Sequence, residues 1–325
     1  MKRRFYRPIK LDVKLAGFVT AVIGIGFIGA YLLLSGHAAT PYASVNADKG
    51  ALTSGATIAT DASASDGKYV QFGAVQTGGG GSWWKPTASA NISWNWIIGN
   101  TPASLAPTVK VYDIDGFDNS AATISSIHAL GSVAICYIDV GTYEPGRTDD
   151  NLIPAADQGS GVQGWAGEKW LNIADINGLT PVVKDRMNLC KSKGFDAIEP
   201  DNIDGYTNST GFPLTAANQL AYNEFLASTA HSLGLSIGLK NDVDQTSQLQ
   251  PYFDWALDEE CNKYTECNTL APFTAANKAV FNAEYTSDGE TTTKFCAADA
   301  AAHINGVLFD LNLDGKTFQP CTQTW

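Results

Sequence analysis

Positive charge is scarce in this chain, and what there is lies mostly at one end. Six of the 21 lysines and arginines fall within the first 39 residues beside one acid, Asp12, leaving 15 bases against 32 acids in the remainder, a net charge of −17. Such a surface repels phosphate backbones, so a nucleic-acid partner is excluded. It would attract a cationic substrate. Metal-ligand spacing is missing too, since no Cys-x-x-Cys or His-x-His occurs and the four histidines are scattered. No metal site is expected. No Gly-x-Gly-x-x-Gly follows the first apolar strand, which removes the main signal for a dinucleotide and for an open doubly wound sheet. No cofactor is expected.

What the chain has begins with Leu15 to Leu34, twenty residues without a charge, preceded by a basic segment and followed by Ser35-Gly36-His37-Ala38-Ala39. That length spans a bilayer, and the basic flank stays inside, so everything after it is exported. The run reads as a retained anchor on its length, while the small residues behind it also suit a cleavage site. Three domains follow: residues 1–39 as basic tail and membrane or signal segment, 40–82 as a Ser/Thr/Gly-rich stalk, and 83–325 as the compact folded part. The stalk holds one strand-like stretch, Lys68–Phe72, inside a phrase, Ala64–Phe72, that resembles the end of a carbohydrate-binding module, and a hinge at Gly78–Gly81. All six cysteines are exported, which favours disulfides: Cys261 with Cys267, Cys296 with Cys321, and Cys136 with Cys190 either as a third pair or as buried thiols. The exported part is expected to be extracellular and monomeric.

A helix closed by glycine and followed at once by an apolar strand recurs at Gly131, Gly194 and Gly234. Such alternation argues for parallel strands with helical crossovers. His128, His231 and Lys193 occupy last turns, where a cation meets the helix dipole, so the histidines need no catalytic role. Pro181 predicts a helix starting there and running through Lys193. Nine strand candidates appear, at 94–98, 109–112, 133–138, 170–173, 197–198, 236–239, 255–257, 280–283 and 307–309. A closed (β/α)₈ TIM barrel needs eight, and 170–173 is the surplus, because residues 141–169 read as one long loop. The predicted fold class is therefore α/β, a (β/α)₈ barrel behind a membrane-spanning segment and stalk.

In such barrels function gathers at the carboxyl ends of the strands. Seven of the eight ends carry acids: Asp113 and Asp115, Asp139, Glu199 and Asp201, Asp242 after Lys240-Asn241, Asp258-Glu259-Glu260, Glu284 beside Tyr285, and Asp310. Aromatics accompany them, among them Trp96, Tyr137, Trp165, Tyr206, Trp255 and Tyr285, in numbers that suit either core packing or stacking on sugars. Paired carboxylates in an exported protein without a cofactor motif point to glycoside hydrolysis, one acid donating a proton and the other acting as nucleophile or base.

Four strings, Val111–Asp118, Glu199–Asn208, Gly238–Asp242 and Phe253–Cys261, resemble in order those of glycoside hydrolase family 114, the endo-α-1,4-polygalactosaminidases. The resemblance implies a (β/α)₈ barrel that cuts α-1,4-linked galactosamine in an exopolysaccharide, with Asp201 as nucleophile and Glu259 as general acid and base. It leaves Asp139 as a departure, a serine being more familiar there. Asn202 would hydrogen-bond the nucleophile, an apolar neighbour such as Trp255 or a like charge would keep the acid protonated, and Asp113, Asp115 and Glu284 would pair with the substrate amine. Tyr137, Lys240, Asn241 and Tyr285 complete the expected substrate contacts, although Lys240 serves equally well as an ion pair holding Asp201. An α-glycosidase for a neutral galactan and a non-catalytic glycan-binding protein are the alternatives.

Overall fold

The computed structural model describes residues 56–60, 68–72, 83–322 and 325. Leu15–Leu34 and Gly78–Gly81 lie outside these residues, and among the described ones no helix is long and apolar enough to cross a membrane. The chain divides into two units. In the first, β1 (Ala56–Thr60) pairs antiparallel with β2 (Lys68–Phe72), Ala56 facing Phe72 and Thr60 facing Lys68. The predicted strand thus has a partner, Ala-Thr-Ile-Ala-Thr, whose single large apolar residue gave no alternating signal.

The second unit is built on eight parallel strands in chain order: β3 (Trp94–Ile97), β4 (Val111–Asp115), β5 (Val133–Asp139), β9 (Ala197–Asp201), β10 (Ser236–Lys240), β11 (Trp255–Glu259), β12 (Val280–Tyr285) and β13 (Ile304–Phe309). A ninth, β14 (Phe318–Pro320), lies antiparallel on the outer edge of β13. The barrel is thus closed except at one seam. There Trp94 Nε1 donates to the Asn305 carbonyl at 2.7 Å, and the Ile92 amide donates to Asn305 Oδ1 at 2.6 Å.

Strand period decides which side chains enter the barrel. Trp94, Trp96, Ile135, Trp255, Phe281 and Phe309 point inward and form the barrel core, while Ile114, Cys136, Ile138, Ile198 and Leu239 point outward beneath the helices. Gly238 belongs to the inward set because a Cβ there would lie 2.3 Å from the Trp255 ring.

The helices outside are α1 (Ala121–Ala129), α2 (Ile176–Lys193), α3 (Ala216–Ser232), α4 (Thr246–Leu249), α5 (Cys261–Tyr264), α6 (Ala271–Ala275) and α7 (Thr292–Ala301). Gly131, Gly194 and Gly234 follow the first three in the left-handed region, as the sequence predicts. The start of α2 differs from expectation: the Asp175 carboxylate caps the Gly178 amide at 2.9 Å, so the helix begins a turn earlier and Pro181 lies inside it. Residues 141–171 are more than a loop. They contain β6 (Thr142–Tyr143), β7 (Gln158–Gly161) and β8 (Lys169–Leu171), an antiparallel sheet of order β6-β8-β7 that accounts for the surplus strand candidate. All six cysteines pair, Cys136–Cys190 between β5 and α2, Cys261–Cys267 across the turn after β11, and Cys296–Cys321 between α7 and the segment after β14.

Candidate active site

Inward parity places Asp201, Lys240 and Glu259 at the carboxyl ends of three adjacent strands, β9, β10 and β11. Lys240 Nζ lies 2.7 Å from Asp201 Oδ1 and 2.8 Å from Glu259 Oε2, so these two oxygens cannot be more than 5.5 Å apart. Beneath, Nζ is 3.6 Å from Glu199 Oε1 and lies 4.9 Å from the centre of the Trp96 ring. Burial would strip the proton from Lys240, but the charges of Asp201, Glu259 and Glu199 outweigh it and hold the ammonium firmly charged.

Each outer carboxylate has its own donors. Tyr137 OH donates to Asp201 Oδ2 at 2.9 Å, and Asn202 Nδ2 approaches the same oxygen at 3.4 Å. Burial alone would raise the Asp201 carboxyl, yet Lys240 and these hydrogen bonds bring it below its ordinary value. Tyr285 OH donates to Glu259 Oε1 in a short bond, and Asn241 accepts from the Glu259 amide at 3.1 Å. Burial, reinforced by the neighbouring carboxylate, raises both phenols well above their usual range, so each remains a donor.

Below this layer Glu199 and Asp113 are wholly buried. Trp96 Nε1 donates to Glu199 Oε2 at 3.0 Å. Burial pushes Asp113 up to about 7 and Glu199 well above its ordinary value, and the neighbouring Asp113 charge raises Glu199 further. Asp139, also buried, accepts from Thr142 N at 2.7 Å and from Asn202 Nδ2 at 2.7 Å, which fixes the amide beside Asp201.

The backbone is unusual here. Asn202, Asn241, Asp242 and Glu260, directly following Asp201, Lys240 and Glu259, all have φ between 45° and 65°. Left-handed backbone at non-glycine residues collects at sites where geometry outranks stability. Gly141 makes the first of these turns possible, since a Cβ there would stand 1.7 Å from the Asn202 carbonyl oxygen.

Residues 74–324 match the family model for glycoside-hydrolase family GH114. The chain belongs to glycoside hydrolase family GH114. It is therefore a glycoside hydrolase, as the sequence motifs imply. This GH114 chain is similar to Aspergillus fumigatus Ega3 in complex with galactosamine, at 31% identity and a TM-score of 0.68, covering 73% of this chain and 97% of that one. The glycoside hydrolase domain of PelA from Pseudomonas aeruginosa shares the fold, at 13% identity and a TM-score of 0.54, covering 69% and 97%. Comparison with curated protein sequences returns no match.

Not every expected contact residue of the GH114 chain reaches the cleft. Glu284 points away from the barrel, since Phe281, Ala283 and Tyr285 hold the inward positions of β12; it accepts from Asn262 N at 2.8 Å and Asn282 Nδ2 at 3.1 Å, on the helix side. Asp115 is buried and committed to the Phe117 and Asp118 amides, both at 2.8 Å, and to Arg147 at 2.8 Å. Asp113 lies under Lys240 without access to a ligand. Asn202 approaches the Asp201 carboxylate and Asn241 the Glu259 carboxylate, and Asn241 also lines a cavity beside Glu259. Trp255 is no neighbour of Glu259: its indole donates to Ser236 Oγ at 3.1 Å within the barrel core. Of the triplet Asp258-Glu259-Glu260, Glu259 enters the cleft and Glu260 pairs with Lys263 at 2.7 Å. Trp83 stacks on His231 and donates to Asp254 at 3.1 Å, at the opposite end of the barrel.

Trp96 and Glu199 both reach the Lys240 cluster from beneath. Their inward parity with Trp94 and Ala197 was the available signal.

Proposed function

We propose that this chain is an endo-acting, retaining glycosidase that cleaves α-1,4-linked galactosamine polymers, with Asp201 as nucleophile and Glu259 as general acid and base. The observation that carries this reading is the shared ammonium, which keeps one oxygen of each carboxylate within 5.5 Å of the other. Retaining glycosidases place them about 5–5.5 Å apart, whereas inverting ones leave about 6.5–9.5 Å for a water. Asp201, held ionised by Lys240 and Tyr137, has the charge needed to attack the anomeric carbon. Glu259, whose side chain is 28% exposed, takes a proton from solvent and gives it to the departing glycosidic oxygen. The covalent glycosyl-enzyme is then opened by water, whose proton returns to Glu259.

Galactosamine as the substrate unit is supported by the bound sugar in the Ega3 structure and by the acidity of the cleft. An oxidising, extracellular setting is supported by the three disulfides. Asp201→Asn and Glu259→Gln are each expected to lower hydrolysis of galactosaminogalactan by at least about a thousandfold, as loss of a nucleophile or its partner does. Proton NMR of the first product in the parent reaction is expected to show the α-anomer. Initial β-product would exclude retention, and preference for a fully acetylated or neutral polymer would exclude the galactosamine assignment.

A further inference from the structure

We infer that the cavity on the far side of Glu259 is a subsite that reads the free amine of the sugar on the leaving-group side of the scissile bond, an inference resting on the retaining galactosaminidase reading above. The cavity has a volume of about 450 Å³ and lies among the turns after β9, β10 and β11, within the range of small-molecule sites of about 300–1,000 Å³. Glu259 lines it and Asp201 does not. Because the general acid protonates the departing oxygen, space beyond Glu259 belongs to the departing sugar.

Its walls are acidic, with Asp242, Asp244, Asp258 and Glu266 among them, and no lysine or arginine lines it. Lys263, close in sequence, is engaged with Glu260 and Asp288, each at 2.7 Å. Two of the acids are almost fully buried, Asp242 at 4% and Asp258 at 1% exposure, and Oδ1 of each has no hydrogen-bond partner. A carboxyl oxygen left so is costly unless a donor arrives. Burial and the Asp204 charge push Asp242 up to about 8, and burial with Glu266 and Glu259 raises Asp258 well above its ordinary value.

A bare divalent cation fits less well. Calcium needs several oxygens about 2.3–2.6 Å from one point, and among the described residues the one trio of acidic, histidine or cysteine ligand atoms close enough together is Cys261, Cys267 and Asp299, outside this cavity. Two of those are joined in a disulfide. A sugar ammonium instead distributes its N–H groups over separated carboxylates while the ring fills the volume beside Tyr206 and Tyr264. An acetamide in its place carries no charge and leaves both buried acids unmatched.

The departing sugar becomes the new non-reducing end, so digestion of a partly acetylated α-1,4-galactosamine polymer by the full chain is expected to give new non-reducing ends that are almost wholly free amines. Mass spectrometry of the products reads this directly. Asp258→Asn and Asp242→Asn are each expected to weaken the bias by about tenfold to a hundredfold, the effect of losing one charged hydrogen bond. New ends acetylated in the polymer's own proportion would overturn the subsite while leaving the galactosaminidase reading intact. Absence of any cleavage would instead sink that reading, and calorimetric titration with galactosamine and N-acetylgalactosamine then decides the subsite. Preference for galactosamine that Asp258→Asn abolishes supports it; equal affinities, or no effect of the substitution, overturn it.

Discussion

Lys240 answers for three carboxylates and the face of an indole, all within the reach of one ammonium. Removing one partner of a buried charge cluster leaves the others uncompensated, at about 3–5 kcal/mol. Lys240→Met is therefore expected to lose about that much stability at pH 7 in denaturant unfolding, and to lose more than about a hundredfold in kcat because Asp201 no longer stays ionised. Lys240→Arg is expected to fail as well, since a planar fork does not converge three carboxylates on one point. An Arg variant with full activity would show that a point charge is not what the site requires. Asp139 acts at one remove: it holds Asn202, which touches Asp201.

At the level of strands, one rule sorts the acidic ends. Residues one apart point to opposite faces, so Tyr285 meets Glu259 while Glu284 is carried to the helix side. The sequence made the order of strands, the glycine-closed helices and the cluster at Asp201 legible, because each is a local pattern. It did not reveal the phase of β12, which depends on Phe281 being inward, nor the contact of Asp139 with Asn202, 63 residues away. Residues 141–169, poor in apolar alternation, hid the small sheet for the same reason. Where the β5 turn meets the β9 turn, Gly141 admits the Asn202 backbone. Gly141→Ala forces that backbone aside and is expected to cost about 1–3 kcal/mol by overpacking, with kcat falling at least tenfold. Thermal unfolding and steady-state kinetics on the same variant check both, and an unaltered kcat would show that Asp201 does not depend on that turn.

The molecule as a whole carries its acids in unusual protonation states. Burial raises Asp113 to about 7, Asp242 to about 8, and Asp204 and Asp299 each to about 6. These groups bind protons in the folded state that the unfolded chain has released, so their contribution to stability is fully present below the ordinary carboxylate range and is lost as pH rises from about 4 towards 8. Tm is accordingly expected to be higher at pH 5 than at pH 8, and Asp113→Asn to flatten that slope; a Tm that rises over the same interval would contradict it. The left-handed residues after β9, β10 and β11 bear on the chain differently. Each non-glycine residue there holds back about 1 kcal/mol or more, which glycine would release. A library selected for heat tolerance alone would thus enrich glycine at 202, 242 and 260, discarding the amide beside Asp201 and a wall of the acidic cavity. Selection for turnover would restore them, so evolutionary pressure for endurance and for speed would pull these three turns in opposite directions.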